Sequence, residues 1–440
     1  MATLNIVRAD SRAGRRLRER LRRRGQGLLD ERFLSRARRL VEAVRTGGDR
    51  ELLRAVRRHD GANVETVEEL RLEVSGTTAG DGALPAGFEG ALERAIAAVE
   101  RYHKEQLHPG YRVREETPAA GGIELVERRS PLRRVGLYVP GGRASYPSTA
   151  VMTVVPARLA GVEEIAVATP FAGWQRNAAL RVALARLGVG EVWGMGGAHA
   201  VAAFAYGTET IRRVDKIVGP GNAWVTAAKH LVSGDVAIDH LAGPSEVVIV
   251  ATGDADPALV AADLLAQAEH DPQALALLVT DRRRLAKEVA KEVGRQLPGL
   301  ATAEVAGTAL RDHGAAVVVA DMEEALAWVE EIAPEHLQLL GTGAEELAER
   351  VSTAAATFVG ASTPTVFGDY LAGPTHVLPT AGTARFASAL GVEDFVRRSH
   401  LVRFDATAAS RAATAAAALA EVEGLPAHAA SALRRLEEKG

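Results

Sequence analysis

At 440 residues, 47% of them hydrophobic and only 4% aromatic, the chain is too long for one ordinary core, and its reliance on Ala, Val and Leu suits helices wrapped on parallel strands. A formal net charge of -3 with 25% charged residues excludes a global field drawing the protein to nucleic acid or membrane, and no apolar run reaches the roughly 20 residues that span a bilayer. Cysteine is absent, which excludes disulfides, thiolate metal sites and a thiol nucleophile, so a metal would have to use His, Asp, Glu or Gln.

The segment from Arg8 to Arg24 is Arg-rich with Leu17 and Leu21 four apart, and it reads as a basic helix that docks on a partner subunit rather than as a nucleic-acid arm. Helical patterning follows from Leu29 to His59 and from Phe88 to Glu105, separated by a Gly- and Thr-rich stretch from Gly76 to Gly82. From Val135 the pattern changes to short apolar runs, each followed by a turn and an amphipathic stretch: Val135 to Val139, Ile165 to Thr169, Glu191 to Met195 and Lys216 to Val218. The rhythm restarts at Ser245 to Ala251, Ala276 to Thr280 and Ala315 to Ala320, with helices expected at Pro257 to His270 and Arg282 to Leu297. After Leu390 an Ala-rich helical tail from Ala406 to Leu436 is too small for a core of its own and is expected to dock across a dimer.

The fold class expected is α/β, with two incomplete Rossmann-like domains built on parallel sheets plus small N- and C-terminal helical tails. The expected division is 1–33 as an N-terminal helical arm, 34–137 with 247–390 as the first domain, 138–246 as the second, and 391–440 as the C-terminal tail. No charged-then-apolar leader stands at the N-terminus, so the expectation is a cytoplasmic protein without membrane or nucleic-acid partners.

Four turns in the first run of βα units are rich in glycine: Pro140-Gly141-Gly142, Gly194-Met195-Gly196-Gly197, Gly219-Pro220-Gly221-Asn222 and Gly207-Thr208. Glycine there lets backbone N–H groups approach a phosphate at a helix N-terminus, although it also serves any tight turn and no G-x-G-x-x-G occurs. Gln267 and His270 lie three apart at a predicted helix end and can point at one ion; Asp369 sits in a predicted turn, and His428 in the C-terminal helix with Glu423 nearby. Two His, one Asp and one Gln form an N/O set suited to Zn²⁺, but local spacing does not assemble residues about 160 positions apart. Ala333-Pro334-Glu335-His336 places two proton-transfer groups side by side on a loop before Leu337 to Leu340, which suits sequential acid–base steps and equally a solvated turn.

In this order the pieces resemble the histidinol dehydrogenases. The resemblance runs through Val135 to Gly142, Ala203 to Thr210, Gly219 to Asn222, Ala242 to Glu246, Gln267 to His270, Ala333 to His336, and Gly368 with Asp369 to His376. It implies Zn²⁺ bound by Gln267, His270, Asp369 and His428, the last from the neighbouring subunit of a homodimer. It implies substrate contacts from Ser245, Gln267, His270, Glu335, His336, Asp369, His376, Glu423 and His428, and NAD contacts from Tyr138 and Asn222. A third NAD-contacting position, usually Gln, is occupied here by His199, whose neutral imidazole can still hydrogen-bond. The metal and catalytic residues then fall in the first domain and the NAD side in the second, with the tail completing the partner's site. The implied reaction is the two-step oxidation of L-histidinol through L-histidinal to L-histidine, at the end of histidine biosynthesis, with His336 as general base and Glu335 activating water. The rival is a paralogous zinc/NAD dehydrogenase of another alcohol such as a sulfonated diol, which Glu423, His376 and Asp369 argue against.

Overall fold

The computed structural model describes residues 4–27, 29–74, 84–117, 121–141, 146–175 and 177–436, and its organising feature is two parallel sheets with the same strand order. The first contains Arg134–Tyr138, Glu164–Thr169, Glu191–Gly194, Lys216–Val218 and Ala237–Ile238, arranged third, second, first, fourth, fifth. The second repeats that order with Glu246–Ala251, Leu275–Thr280, Ala315–Val318, His336–Leu340 and Ala356–Val359, and adds Ile6–Arg8 outside its third strand. These are doubly wound half-folds lacking the last strand of a full Rossmann sheet. Nearly every strand residue of Arg134–Tyr138, Glu246–Ala251 and Leu275–Thr280 is buried, the continuous apolar pattern of strands covered on both faces. The α/β class of two incomplete Rossmann-like halves is therefore the observed one.

Packing departs from the expected division. The helix Glu31–His59 aims Leu34, Val41, Val44, Leu52 and Val56 at Ala200, Phe204 and Val225 on one face of the first sheet, while Phe88–Lys104 packs Leu92 and Val99 on the other. The described segments 34–74 and 84–104 thus pack with the first sheet rather than with 247–390, because their apolar side chains meet its strands and helices. The N-terminal arm also differs. Ile6–Arg8 is a strand in register with Ala316–Val318, and Leu17 and Leu21 of the basic helix Arg12–Arg22 are buried in the second sheet's core with Trp328. Arg18 caps that contact by pairing with Glu331 at 2.6 Å, so the apolar face of the helix docks on its own chain.

A third, antiparallel sheet of Tyr111–Thr117, Gly121–Pro131 and Val396–Phe404 was not foreseen. The tail follows it as two helices, Ala406–Val422 and Pro426–Leu433, separated where Gly424 turns at φ 73°. They pack on each other through Ala417, Ala420 and Ala429 and touch chiefly this small sheet, leaving Val402, Leu419 and Val422 exposed. Among the described residues no helix is long and apolar enough to cross a membrane.

Segment 239–245 alone connects the end of Ala237–Ile238 to the start of Glu246–Ala251. So short a connection, at most about 25 Å fully extended, makes the carboxyl end of the first sheet face the amino end of the second. At the carboxyl end of the second sheet the loops after its first and fourth strands are tied together, as Asp254 accepts hydrogen bonds from the Thr252 hydroxyl at 2.6 Å and the Thr342 hydroxyl at 2.6 Å.

Candidate active site between the two sheets

The helix Met322–Ile332 ends at Ala333, which takes a left-handed conformation at φ 46° that non-glycine residues seldom adopt. Pro334 cannot continue the helix, and His336 opens the strand His336–Leu340 beside Glu246–Ala251. Glu335 and His336 therefore stand at a strand start rather than on a free loop, and both are buried. The backbone of Glu246 holds the pair: its N–H donates to Glu335 Oε2 at 2.7 Å, and its carbonyl accepts from His336 Nδ1 at 3.0 Å. Because Nδ1 faces a carbonyl, it carries a hydrogen, and Nε2 is the ring atom left for a reactant. Glu335 Oε2 lies 3.6 Å from His336 Nδ1, an ion-pair distance too long for a hydrogen bond. Burial opposes charge on His336, but the Glu335 and Asp369 carboxylates and the Glu246 carbonyl outweigh it and push the imidazole up to about 9.

Asp369 is on the short helix Thr365–Tyr370 rather than in a turn, and its carbonyl accepts from His376 Nδ1 at 2.9 Å. Burial lowers the His376 imidazole, against the pull of Asp369, leaving a neutral ring whose Nε2 lies 3.5 Å from the Thr149 hydroxyl. Ser245 directly precedes Glu246, with its carbonyl tied to the Leu275 N–H at 3.0 Å. Glu335, His336, Asp369 and His376 thus form one cluster at the amino end of the second sheet.

Gln267 occupies the last turn of Pro257–Ala268, buried, with Nε2 unpartnered. His270 lies beyond that helix and is exposed, so the two do not share a helical face; Asp271 precedes Pro272, which disfavours continuing the helix. Glu423 and His428 are exposed on the tail and are not joined to the cluster within the chain. Among the described residues no three His, Asp or Glu side chains gather as a metal site. A divalent cation nonetheless suits the donors here. Gln267 offers a buried amide oxygen, Asp369 a carboxylate and His270 a ring nitrogen, donors of the type such an ion takes, and the helices that carry Gln267 and Asp369 are in contact.

On the facing sheet, Gly194-Met195-Gly196-Gly197 and Gly219-Pro220-Gly221-Asn222 follow strands and open the helices Gly197–Tyr206 and Ala223–Val232, an arrangement able to receive a phosphate. Gly142 and the Gly76 to Gly82 stretch lie outside the described residues. Gly207 is a helix C-cap, not a strand-to-helix turn. Tyr138, whose hydroxyl burial pushes up to about 12, accepts from the Gly197 N–H at 3.1 Å. His199 is 2% exposed with Nε2 2.9 Å from Asp60 Oδ2, which also accepts from the Gly196 N–H at 2.9 Å. Its ring braces the turn. Asn222, exposed, caps its helix through Oδ1, which accepts from the Trp224 and Val225 N–H groups. The Gly219 N–H and carbonyl are held by a buried pair, Asp239 at 2.8 Å and Lys229 at 2.5 Å.

Asp60, Lys229, Asp239, Glu246 and Arg24 were given no role from the sequence. Only Glu246 carried a signal, a lone charge opening the apolar run Val247 to Ala251.

The family model described as histidinol dehydrogenase matches residues 24–436. The chain is 46% identical over 397 residues to the histidinol dehydrogenase of Caulobacter vibrioides, covering 90% of this chain and 91% of that protein. It is 44% identical over 398 residues to that of Geobacter sulfurreducens, covering 90% and 92%. The crystal structure of histidinol dehydrogenase from Elizabethkingia anophelis superimposes with a TM-score of 0.82 at 29% identity, covering 91% of this chain and 92% of that one.

Proposed function

The chain belongs to the histidinol dehydrogenase family and is an oxidoreductase, and on that premise we propose that it oxidises L-histidinol through L-histidinal to L-histidine with NAD and Zn²⁺. The observation that carries this reading is the buried Glu335–His336 pair, fixed on both backbone groups of Glu246 at the junction of the two sheets. The locked Nδ1 turns His336 Nε2 to the substrate, where it accepts the hydroxyl proton as the carbinol carbon gives up hydride. Glu335 then takes a proton from water adding to the aldehyde carbon while His336 returns its proton to the carbonyl oxygen, giving the gem-diol, and His336, so reset, accepts a diol hydroxyl proton as the second hydride leaves. NAD, as the hydride acceptor in each step, would lie along the first sheet's Gly-rich turns beside Tyr138, His199 and Asn222.

Gln267, His270 and Asp369 with the partner subunit's His428 would hold Zn²⁺. When bound, Zn²⁺ would fix the imidazole and amino groups of histidinol and offset the Asp369 charge that favours a proton on His336. Ser245, His376 and the partner subunit's Glu423 complete the substrate contacts. The enzyme acts as a cytoplasmic homodimer with shared sites, which keeps the reactive aldehyde enclosed between steps.

The test is purified protein with L-histidinol, NAD and Zn²⁺, following NADH. About two NADH per histidinol, lost on chelation and restored by Zn²⁺, is expected from two sequential hydride transfers; absence of turnover overturns the reading.

A further inference from the structure

We propose that Arg24, acting through its buried ion pair with Glu246, is the positioning residue for the catalytic pair. Its guanidinium meets both Glu246 oxygens, Nε at 2.6 Å and Nη2 at 2.8 Å, and the Ala381 N–H donates to the same carboxylate at 3.1 Å. The side chain of Glu246 is thereby fully engaged and 4% exposed, with no oxygen left for a substrate. Its backbone is what reaches the chemistry, since the N–H holds Glu335 and the carbonyl holds His336.

The same guanidinium donates to the Ile332 carbonyl at 2.7 Å, just before the left-handed Ala333 that delivers Glu335 into the site. Nη1 donates back to the Leu21 carbonyl at 2.9 Å, at the end of the helix whose Leu17 and Leu21 lie in the second sheet's core. One planar cation therefore ties together the strand start that carries Glu246, the turn that carries Glu335, and an anchored N-terminal helix. A lysine ammonium has no planar fork and cannot make these contacts at once.

This inference rests on the proposed chemistry, and its test separates the two. Arg24→Lys, Arg24→Ala and Glu246→Gln are compared with wild type for kcat, for KM toward histidinol and NAD, and for thermal unfolding. Arg24→Ala is expected to lose kcat on the order of 100-fold, as misplacement of a catalytic group by an ångström does, with KM for NAD nearly unchanged. Millimolar guanidinium should restore part of that kcat, and should do nothing for Glu335→Gln. Should Arg24→Ala fail to fold, folded Arg24→Lys decides: reduced kcat supports the proposal and wild-type kcat overturns it. Loss of kcat and of NAD affinity in parallel, without rescue, marks a merely structural role and also overturns it.

A substrate-free readout does not depend on the reaction. In ¹⁵N-histidine-labelled protein, with His336 assigned through His336→Gln, the Nδ1 resonance should shift in Arg24→Lys as its bond to the Glu246 carbonyl loosens. An unmoved resonance overturns the proposal even if histidinol proves not to be the substrate.

Discussion

His336 holds its proton against burial because two carboxylates face it, and that balance has a sign. A histidine raised to about 9 contributes stability that is complete below its ordinary value near 6.5 and is lost as pH rises through about 9. Its base form accordingly grows toward alkaline pH, so kcat/KM for histidinol should rise along an alkaline limb. Glu335→Gln removes the largest charge sustaining the proton and should move that limb to lower pH; a pH–rate profile with an unmoved limb contradicts the pairing. The same substitution removes the group assigned to water activation, so oxidation of added histidinal should fall more than oxidation of the alcohol. Equal losses on the two substrates, followed by NADH formation, would give Glu335 another task. The adjacency of these two residues was legible in the sequence. Their anchoring was not, because Arg24 and Glu246 are 222 positions apart and Arg24 sits among many arginines that look alike until one is buried.

At the level of elements, the Gly-rich turns of the first sheet owe their shape to side chains from other elements. Gly219 has φ 119°, and a methyl group there would collide with the Tyr138 carbonyl, so the turn must be glycine and must be held. Lys229→Met leaves Asp239 buried without its cation, which should cost about 3–5 kcal/mol in urea unfolding and raise KM for NAD. Asp60→Ala frees both His199 and the Gly196 N–H and should raise KM for NAD with KM for histidinol little changed. Parallel strands were readable because burial on both faces writes continuous apolar runs. The antiparallel sheet was not, since Tyr111–Thr117 and Val396–Phe404 are studded with Arg and Glu that pair across strands, as Arg114 and Arg403 do with Glu124 at 3.0 and 2.6 Å. Its sense emerges only when partners are known.

For the whole molecule, two sheets of one strand order are joined so that the carboxyl end of the first meets the amino end of the second, and the candidate site occupies that junction. The tail stands apart from it, with Glu423 and His428 exposed and Val422 90% exposed beside them. If the tail completes a second subunit's site, His428→Ala and His336→Ala should each be inactive alone. Coexpressed, they should recover up to about a quarter of wild-type activity, since random pairing gives hybrid dimers half the time and each has one intact site. No recovery in isolated hybrids would place His428 outside the partner's site. Local chemistry is what the sequence by itself determined: the α/β rhythm, the Glu335–His336 pair, the N/O donors and the absence of thiols, all written in residue type and short spacing. Only the tertiary structure decided which helices cover which sheet, that the basic helix docks on its own chain, and that an arginine near the N-terminus braces the active pair. Those outcomes depend on matching apolar faces and neutralising buried charges between distant segments, and no local pattern encodes that matching.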